Sequence, residues 1–214
     1  MMRFLLISFL VFVTSSCALK TTKGLQTTEI SEATVVNPYF SDTAVDYVYK
    51  AKIAVYGNNF GGIVIIKKVG VNKHRVVFTT EFGSKIFDFL FEGDQFTKNF
   101  ILEDLDKKIL VNTLRKDFKL LLTETMPVQE QFVSDDYKVY KSVAENRYNF
   151  YFFTNPQGQL QKIVNTSKSK EKVVVLVTPL VSETLSEAKM IADKIAINHQ
   201  NIKLSITMDY FKKN

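Results

Sequence analysis

Apolar and polar side chains alternate along residues 46–56, where every odd position from Tyr47 to Val55 is apolar and Lys50 and Lys52 stand between them. A period of two is typical of a β-strand with one face in water. Similar segments follow every ten residues or so, separated by turn-forming sequences such as GNNFGG. Short strands joined by close turns predict an antiparallel meander. Its strands are expected within residues 46–56, 63–69, 74–82, 84–92 and 95–102.

The hydrophobic period lengthens between residues 102 and 122, where gaps of three to five residues predict an amphipathic helix. Asp104 and Asp106 lie early in this segment and Arg115 lies late, in agreement with the helix dipole. Pro127 closes the segment, because proline cannot continue a helix. The apolar stripe consists of Leu102, Leu105, Ile109, Leu114, Phe118 and Leu121.

The second half of the chain returns to strands. A PQG turn between residues 147–155 and 159–167 predicts a hairpin, and the apolar run at 172–177 predicts a central strand. Residues 194–199 and 202–211 predict a closing hairpin. The segment before it, from Thr184 onward, favours neither helix nor strand.

Several of these strands are apolar on both faces, among them residues 63–66, 150–153 and 173–177. A sheet with one wet face does not need this pattern. Either a second layer covers the far face, or the sheet curls around an interior. With one helix expected, curling is the simpler arrangement. We therefore expect a mainly β fold of the α+β class, a curved antiparallel half-open β-barrel with one main helix as its lid.

The first seventeen residues resemble an export signal. Arg3 precedes an apolar run, residues 4–13, which leads through small and polar residues to Cys17, the only cysteine in the chain. Ten helical residues span about 15 Å, too little to cross a bilayer. An ordinary signal peptide, or a buried helix with an incidental thiol, is the alternative. The sequence TSSC resembles the bacterial lipobox, which implies cleavage before Cys17 and acylation of that residue with a palmitate-type chain.

This interpretation divides the chain into three parts. Residues 1–16 are the lipoprotein signal peptide, residues 17–43 a lipidated N-terminus with a flexible tether, and residues 44–214 a single β-rich domain. The tether is rich in Thr, Ser, Lys and Glu and has no sustained periodicity, which is typical of a disordered segment. Its last part is the place where apolar side chains are available to pack onto the domain, at Val35, Val36, Tyr39 and Phe40.

Charge and motifs exclude several functions. The chain has 28 basic and 22 acidic residues, but no basic block or nucleic-acid-binding motif, so nucleic acid is not expected as a partner. Zinc-ligand spacings, nucleophile elbows and phosphate-binding loops are absent from the sequence. His74 and His199 each lie beside an expected turn and are interpreted as solvated. We therefore expect no catalytic residue, no metal and no cofactor other than lipid.

Aromatic residues are abundant, with 18 Phe and 9 Tyr but no Trp. Phenylalanine is bulky and has no polar group, so it suits either a thick core or the wall of an apolar cavity. The sequence alone leaves both possibilities open.

The order of these features resembles the LolA/LolB-like family of lipoprotein carriers. The local similarity lies in GGIVIIKKVGVNKHRVVFTTEFGSKIFDFLFEG, residues 61–93. The resemblance implies a barrel whose cavity takes acyl chains, and a function in transfer between a periplasmic carrier and the membrane. On one face of the strands and helix, the expected cavity residues are Val64, Ile66, Val76, Phe78, Phe82, Phe87, Phe89, Phe91, Ile109 and Leu114; a shift of one residue would invert this set.

The location follows from the predicted anchor. Ala18 follows the cysteine, where an Asp would imply retention at the inner membrane, so the sequence is compatible with an outer-membrane lipoprotein that faces the periplasm. We expect the protein to be a monomer. An accessory or scaffold lipoprotein of an envelope assembly complex is the alternative function. Cavity volume separates the two, because a carrier needs an open apolar pocket of several hundred Å³. A scaffold is expected to have a filled interior and an exposed apolar patch.

Overall fold

A computed structural model describes residues 19–144, 146–180 and 190–211. The expected signal peptide, Cys17 and part of the ambiguous segment after Thr184 lie outside these residues. The β-strands are β1 (Gln26–Thr28), β2 (Thr34–Val36), β3 (Asp46–Val55), β4 (Asn58–Gly70), β5 (Lys73–Thr79), β6 (Lys85–Glu92), β7 (Gln95–Ile101), β8 (Thr125–Pro127), β9 (Glu130–Val133), β10 (Tyr137–Ala144), β11 (Arg147–Thr154), β12 (Leu160–Thr166), β13 (Glu171–Pro179), β14 (Ala192–His199) and β15 (Leu204–Tyr210).

Helix α1 (Lys108–Leu122) is the one α-helix among the described residues, and two 3₁₀ turns lie at Lys20–Thr22 and Glu103–Leu105. No helix in the described ranges has the length and apolar character that crossing a membrane would require.

Thirteen strands form one antiparallel sheet in the order β1-β9-β10-β11-β12-β13-β14-β15-β3-β4-β5-β6-β7, and β2 pairs separately with β8. The two halves of the chain join where β15 pairs with β3, with Ile206 opposite Ile53. Within the part of the chain that the structure describes, β1 and β7 are the two edge strands, so the sheet does not close. The predicted fold class, a mainly antiparallel half-open barrel with one main helix, is confirmed.

Alternation sets the inner face of the sheet. Along β3, the odd positions from Tyr47 to Val55 are buried, as the sequence pattern predicts. At Gly62 in β4 the neighbouring strand comes so close that a Cβ atom would lie 1.9 Å from the carbonyl oxygen of Thr79. Only glycine fits this position, so the sequence GG at residues 61–62 reflects close packing of β4 against β5.

The helix begins later than predicted. Residues 103–105 form a 3₁₀ turn, and α1 starts at Lys108, so the acidic residues expected in the first helical turn precede the helix. Leu110, rather than Ile109, lies four residues before Leu114 and is buried on the same face, because residues four apart share a helix face. Prediction of the helix was correct, but its apolar stripe was misplaced by one residue at its start.

Residues 19–43 are not a free tether, and this part of the domain division is corrected. Strand β1 pairs with β9, and β2 pairs with β8. Tyr39 and Phe40 are buried in the core, and the hydroxyl of Tyr39 donates to the carbonyl oxygen of Leu160 at 2.9 Å. Short strands of this kind carry little periodic signal, so composition alone suggested disorder.

The apolar residues on both faces of the strands have two explanations at once. The concave face of the sheet packs against α1 in the main core, as curling predicts. A second apolar cluster lies on the opposite face and contains Phe132, Val139, Phe150, Phe152 and Val164. Leu19 and Leu25, from the N-terminal segment, pack against it. The first residues described therefore form a partial second layer outside the sheet.

Candidate functional site

An apolar cleft lies between the sheet and the first half of α1; we call it the inner cleft. Its volume is about 230 Å³ when the part open to solvent is included, and the enclosed part has room for about one water molecule. The interior of the half-barrel is therefore nearly filled in this conformation. The side chains that line the inner cleft are all apolar: Ile53, Val55, Phe60, Phe78, Phe87, Leu105, Leu110 and Leu114.

Eight of the ten predicted cavity residues are buried in or around the inner cleft. Phe78, Phe87 and Leu114 line the inner cleft directly. Five more lie in the core around it, namely Val64, Ile66, Val76, Phe89 and Phe91. Contact of any of these residues with lipid stays a prediction.

The prediction that Phe82 and Ile109 line the cavity is wrong, because the two side chains are 98% and 71% exposed. Strand β5 ends at Thr79, so Phe82 falls in the turn before β6, where strand alternation no longer applies. At Ile109 the cause is the late start of α1, which moves Leu110 to the buried face instead.

Phenylalanine rings fill the space beside the inner cleft. The rings of Phe87 and Phe89 stack with centroids 4.5 Å apart, and Phe118 of α1 meets Phe87 edge-on at 5.9 Å. Phe96 of β7 packs edge-on against Phe89 at 5.2 Å. Offset and edge-on ring pairs of this kind contribute about 1 kcal/mol each beyond the burial of their area. The rings thus form a continuous apolar floor under the helix.

Large apolar side chains are exposed at one end of the sheet, where β3, β5 and β7 end and α1 begins. Antiparallel pairing brings these chain segments together, because alternate strands end on the same side. Phe82 is the most exposed of them. We call this group the apolar rim, and it consists of Tyr56, Phe82, Phe100, Leu102 and Ile109.

The second half of α1 is fixed by polar contacts. Asp117 Oδ2 lies 2.8 Å from His199 Nε2 on β14, and both side chains are buried. Burial raises the pKa of Asp117, and the hydrogen bond from His199 opposes that rise. The Asn37 side-chain amide donates to the carbonyl oxygen of Leu121 at 2.8 Å, and Lys68 pairs with Glu124 just beyond the helix at 2.8 Å.

The first half of α1 is held differently. Its N-terminal flank Lys107 makes no capping hydrogen bond through its side chain, and the nearby pair of Lys98 with Asp106 is exposed to solvent. Leu110 and Leu114 provide its apolar contact with the cleft. Polar contacts therefore anchor the end of the helix far from the inner cleft, whereas the end above the cleft is held mainly by apolar packing.

Both histidines were expected to be solvated, and both are buried instead. His74 Nε2 lies 3.0 Å from the carbonyl oxygen of Phe40, and burial lowers the pKa of His74. His199 contacts Asp117 as described above. The sequence contained a signal for this burial. His74 lies two residues before Val76, and His199 lies two residues after Ile197, so each histidine is on the inward face of its strand. Among the residues that the structure describes, no three acidic, histidine or cysteine side chains converge as a metal site.

The arrangement described so far defines an antiparallel half-barrel with an apolar interior and a helical lid. No protein-family model matches the chain, and no curated protein does. A LolA superfamily protein from Nitrosomonas europaea matches at 9% identity and a TM-score of 0.49, over 81% of this chain and 87% of the other.

Two further solved structures are similar at comparable levels. An outer membrane lipoprotein-sorting protein domain from Vibrio parahaemolyticus matches at 7% identity and a TM-score of 0.45, over 78% of this chain and 83% of the other. A DUF1329 family protein from Desulfovibrio piger matches at 7% identity and a TM-score of 0.41, over 78% and 84%.

Proposed function

We propose that this protein is a lipoprotein of the bacterial cell envelope that binds acyl chains, of lipids or of lipoproteins, in the inner cleft. The observation that carries the proposal is the composition of this cleft, because every side chain that lines it is apolar. The cleft lies under the end of α1 that borders the apolar rim, where Ile109 and Phe82 are exposed. Exposed apolar residues beside an apolar cleft suit the entry of a hydrocarbon chain.

Binding requires the first half of α1 to move away from the sheet, since the cleft has little free volume. The polar contacts of Asp117 and Asn37 hold the second half, so the helix is expected to open at its N-terminal end. Exposing Leu110 and Leu114 would cost roughly 3–6 kcal/mol in lost burial. Each buried methylene returns about 0.8 kcal/mol, so four to eight methylenes offset that cost. A palmitate-length chain is long enough to do so.

The proposed anchor is an acyl chain on Cys17, with the protein at the outer membrane and its domain facing the periplasm. Leu19, the first residue described, is packed on the outside of the sheet and not in the inner cleft. An anchor at Cys17 would therefore leave the inner cleft available for a second chain. During transfer from a periplasmic carrier to the membrane, the acyl chain leaves one apolar site and enters another, and no covalent bond is broken. A monomer without a catalytic residue is therefore sufficient.

A non-catalytic scaffold in an envelope assembly is the second candidate, favoured by the filled interior. In that case the helix stays closed, and the apolar rim, with Phe82 at its tip, contacts a partner protein. The two candidates differ in whether α1 moves and whether acyl chains enter.

Spin-label distances test the proposal. One label replaces exposed Lys52 on β3, and the second replaces either Ile109 at the start of α1 or Lys116 further along. Palmitate should lengthen the distance from position 109 to position 52 and change that from position 116 much less. Unchanged distances together with no palmitate binding would contradict the carrier proposal and favour the scaffold. If the spin label reacted with the protein that has no introduced cysteine, Cys17 would carry a free thiol, which would contradict its acylation.

A further inference from the structure

A second cleft lies on the convex face of the half-barrel, where the N-terminal segment crosses strands β10 to β13. Its volume is about 780 Å³ when the part open to solvent is included, and about 370 Å³ of it has room for water-sized molecules, which is within the usual range for small-molecule sites. It is separate from the inner cleft, because its side chains belong to the cluster on the opposite face of the sheet. We call it the outer cleft; its main boundaries are Lys20, Lys23, Tyr137, Phe152, Lys162 and Glu171.

The outer cleft combines positive charge with an apolar floor. Lys20, Lys23 and Lys162 contribute three ammonium groups, against one carboxylate from Glu171. The hydroxyl of Thr21 donates to Glu171 Oε1 at 2.8 Å, which turns that carboxylate toward the N-terminal segment. The remaining balance favours an anionic ligand.

Lys162 is the central group of the site. Its Nζ lies 3.9 Å from the centroid of the Phe152 ring and 6.0 Å from that of Tyr137. Burial lowers the pKa of Lys162, and the charge of Glu171 opposes that shift without cancelling it. The lowered pKa indicates that the ammonium group has lost part of its hydration. No carboxylate among the described residues lies within 4.0 Å of Nζ, the distance of an ion pair. An incoming anion would therefore meet a positioned and partly desolvated cation, where charge-assisted hydrogen bonds are strongest.

The position of the cleft relative to the membrane identifies the anion. Lys20 is the third residue after Cys17, and three extended residues span at most about 11 Å. This step rests on the proposed function, because an acylated Cys17 would hold the outer cleft against the headgroup layer. Phosphate groups of anionic lipids lie in that layer, and each nearby lysine adds about 1 kcal/mol of attraction.

We propose that the outer cleft binds the phosphodiester headgroup of an anionic phospholipid, with Lys162 contacting the phosphate. Lys20 and Lys23 flank the headgroup from the N-terminal segment. Leu25, Tyr137 and Val174, which line the cleft and are only partly buried, supply an apolar surface for the glycerol and the first carbons of the chains. The site orients the half-barrel on the bilayer, which an acyl chain on a single residue does not do alone.

Titration calorimetry of the full chain in a non-ionic detergent tests this site. The probe is dihexanoyl phosphatidylglycerol below its micelle concentration, with dihexanoyl phosphatidylcholine and inorganic phosphate as comparisons. Phosphatidylglycerol should bind saturably and more tightly than either. The K162Q variant should weaken binding about tenfold and K23Q about threefold, as expected for loss of one charge-assisted contact. K52Q, with the same charge change on β3, should leave binding unchanged.

Three results would overturn the inference. Equal affinity for phosphatidylcholine would remove the role of net charge, and equal affinity for inorganic phosphate would assign the site to free phosphate. If palmitate displaced the phospholipid and neither K162Q nor K23Q changed its affinity, the lipid would be bound in the inner cleft. That result would reject the outer cleft as the site but support the proposed function. Conversely, binding sensitive to K162Q in a protein that takes up no palmitate would support this site and reject acyl carriage.

Discussion

Asp117 of the lid helix and His199 of strand β14 meet inside the protein, with Oδ2 and Nε2 2.8 Å apart. Both side chains are buried, at 1% and 5% exposure. The pair joins the helix to the sheet beyond the end of the inner cleft. It therefore fixes the part of α1 that stays in place if the first half of the helix opens.

Loss of His199 should leave the Asp117 carboxylate buried without its partner. The H199L variant is expected to lose about 3 kcal/mol of unfolding free energy at pH 8. Burial raises the pKa of Asp117 in the folded protein, so the folded state binds a proton more tightly than the unfolded chain. The stability of H199L should therefore fall as the pH rises above about 4, the ordinary carboxyl value, and the deficit should shrink in acid. Urea denaturation at several pH values measures this.

The matched control removes both partners. In D117L/H199L no buried carboxylate remains, so stability should recover most of the loss and its extra pH dependence should disappear. A double variant as unstable as H199L at pH 8 would show that the deficit comes from lost packing rather than from an unpaired charge.

Substitution by alanine should destabilise the protein strongly at Gly62 and hardly at all at the neighbouring Gly61. A Cβ at Gly62 would lie 1.9 Å from the carbonyl oxygen of Thr79, whereas nothing lies within 4 Å of one at Gly61. G62A is expected to cost about 3 kcal/mol or more, because β4 and β5 must separate. G61A should change stability by no more than about 0.5 kcal/mol. Thermal and urea unfolding of the two variants would contradict the close packing if their stabilities were equal.

Phe40 tests whether the N-terminal segment belongs to the folded unit. This ring is buried against Tyr47, with centroids 5.2 Å apart. F40A should therefore cost about 3–5 kcal/mol of unfolding free energy. V36A, four residues earlier at an exposed position, should change it by less than about 0.5 kcal/mol. If F40A were as stable as the unaltered protein, the segment would be a tether after all.

Phe82 tests the apolar rim without disturbing the core. F82S should leave stability within about 0.5 kcal/mol of the unaltered protein, because the side chain is exposed. It should slow the transfer of a fluorescent fatty acid from donor vesicles to the protein about tenfold, which corresponds to loss of one partly buried aromatic contact. The matched control is V71S, since Val71 is 86% exposed in the turn between β4 and β5, at the opposite end of the sheet. Equal transfer rates for both variants would exclude a role for the rim.

The strands could be predicted where their periodicity was long. Strand β3 follows its alternation from Tyr47 to Val55 without an exception, and the hairpin of β11 and β12 follows its PQG turn. Strands β1, β2 and β8 could not be predicted, because three residues are too few to show a period. Their pairing depends on strands that are distant in the sequence.

The inner cleft was predicted in its composition but not in its volume. Strand alternation identified Phe78 and Phe87, and the helical stripe identified Leu114. Rotamers and the height of α1 above the sheet decide how much space remains between them. The outer cleft could not be predicted at all. Nothing in the local sequence distinguishes Lys162 from other lysines, and its environment exists because residues 19–25 fold back across the sheet.

Acyl-chain binding is tested most directly by the lipid content of the full chain, measured by native mass spectrometry after mild purification and again after addition of palmitate. The full chain is required because Tyr39 and Phe40 are part of the core. If the protein carries acyl chains, one should be bound non-covalently per protein, in addition to any chain attached to Cys17. A protein that is recovered without such lipid and does not bind added palmitate would contradict acyl carriage.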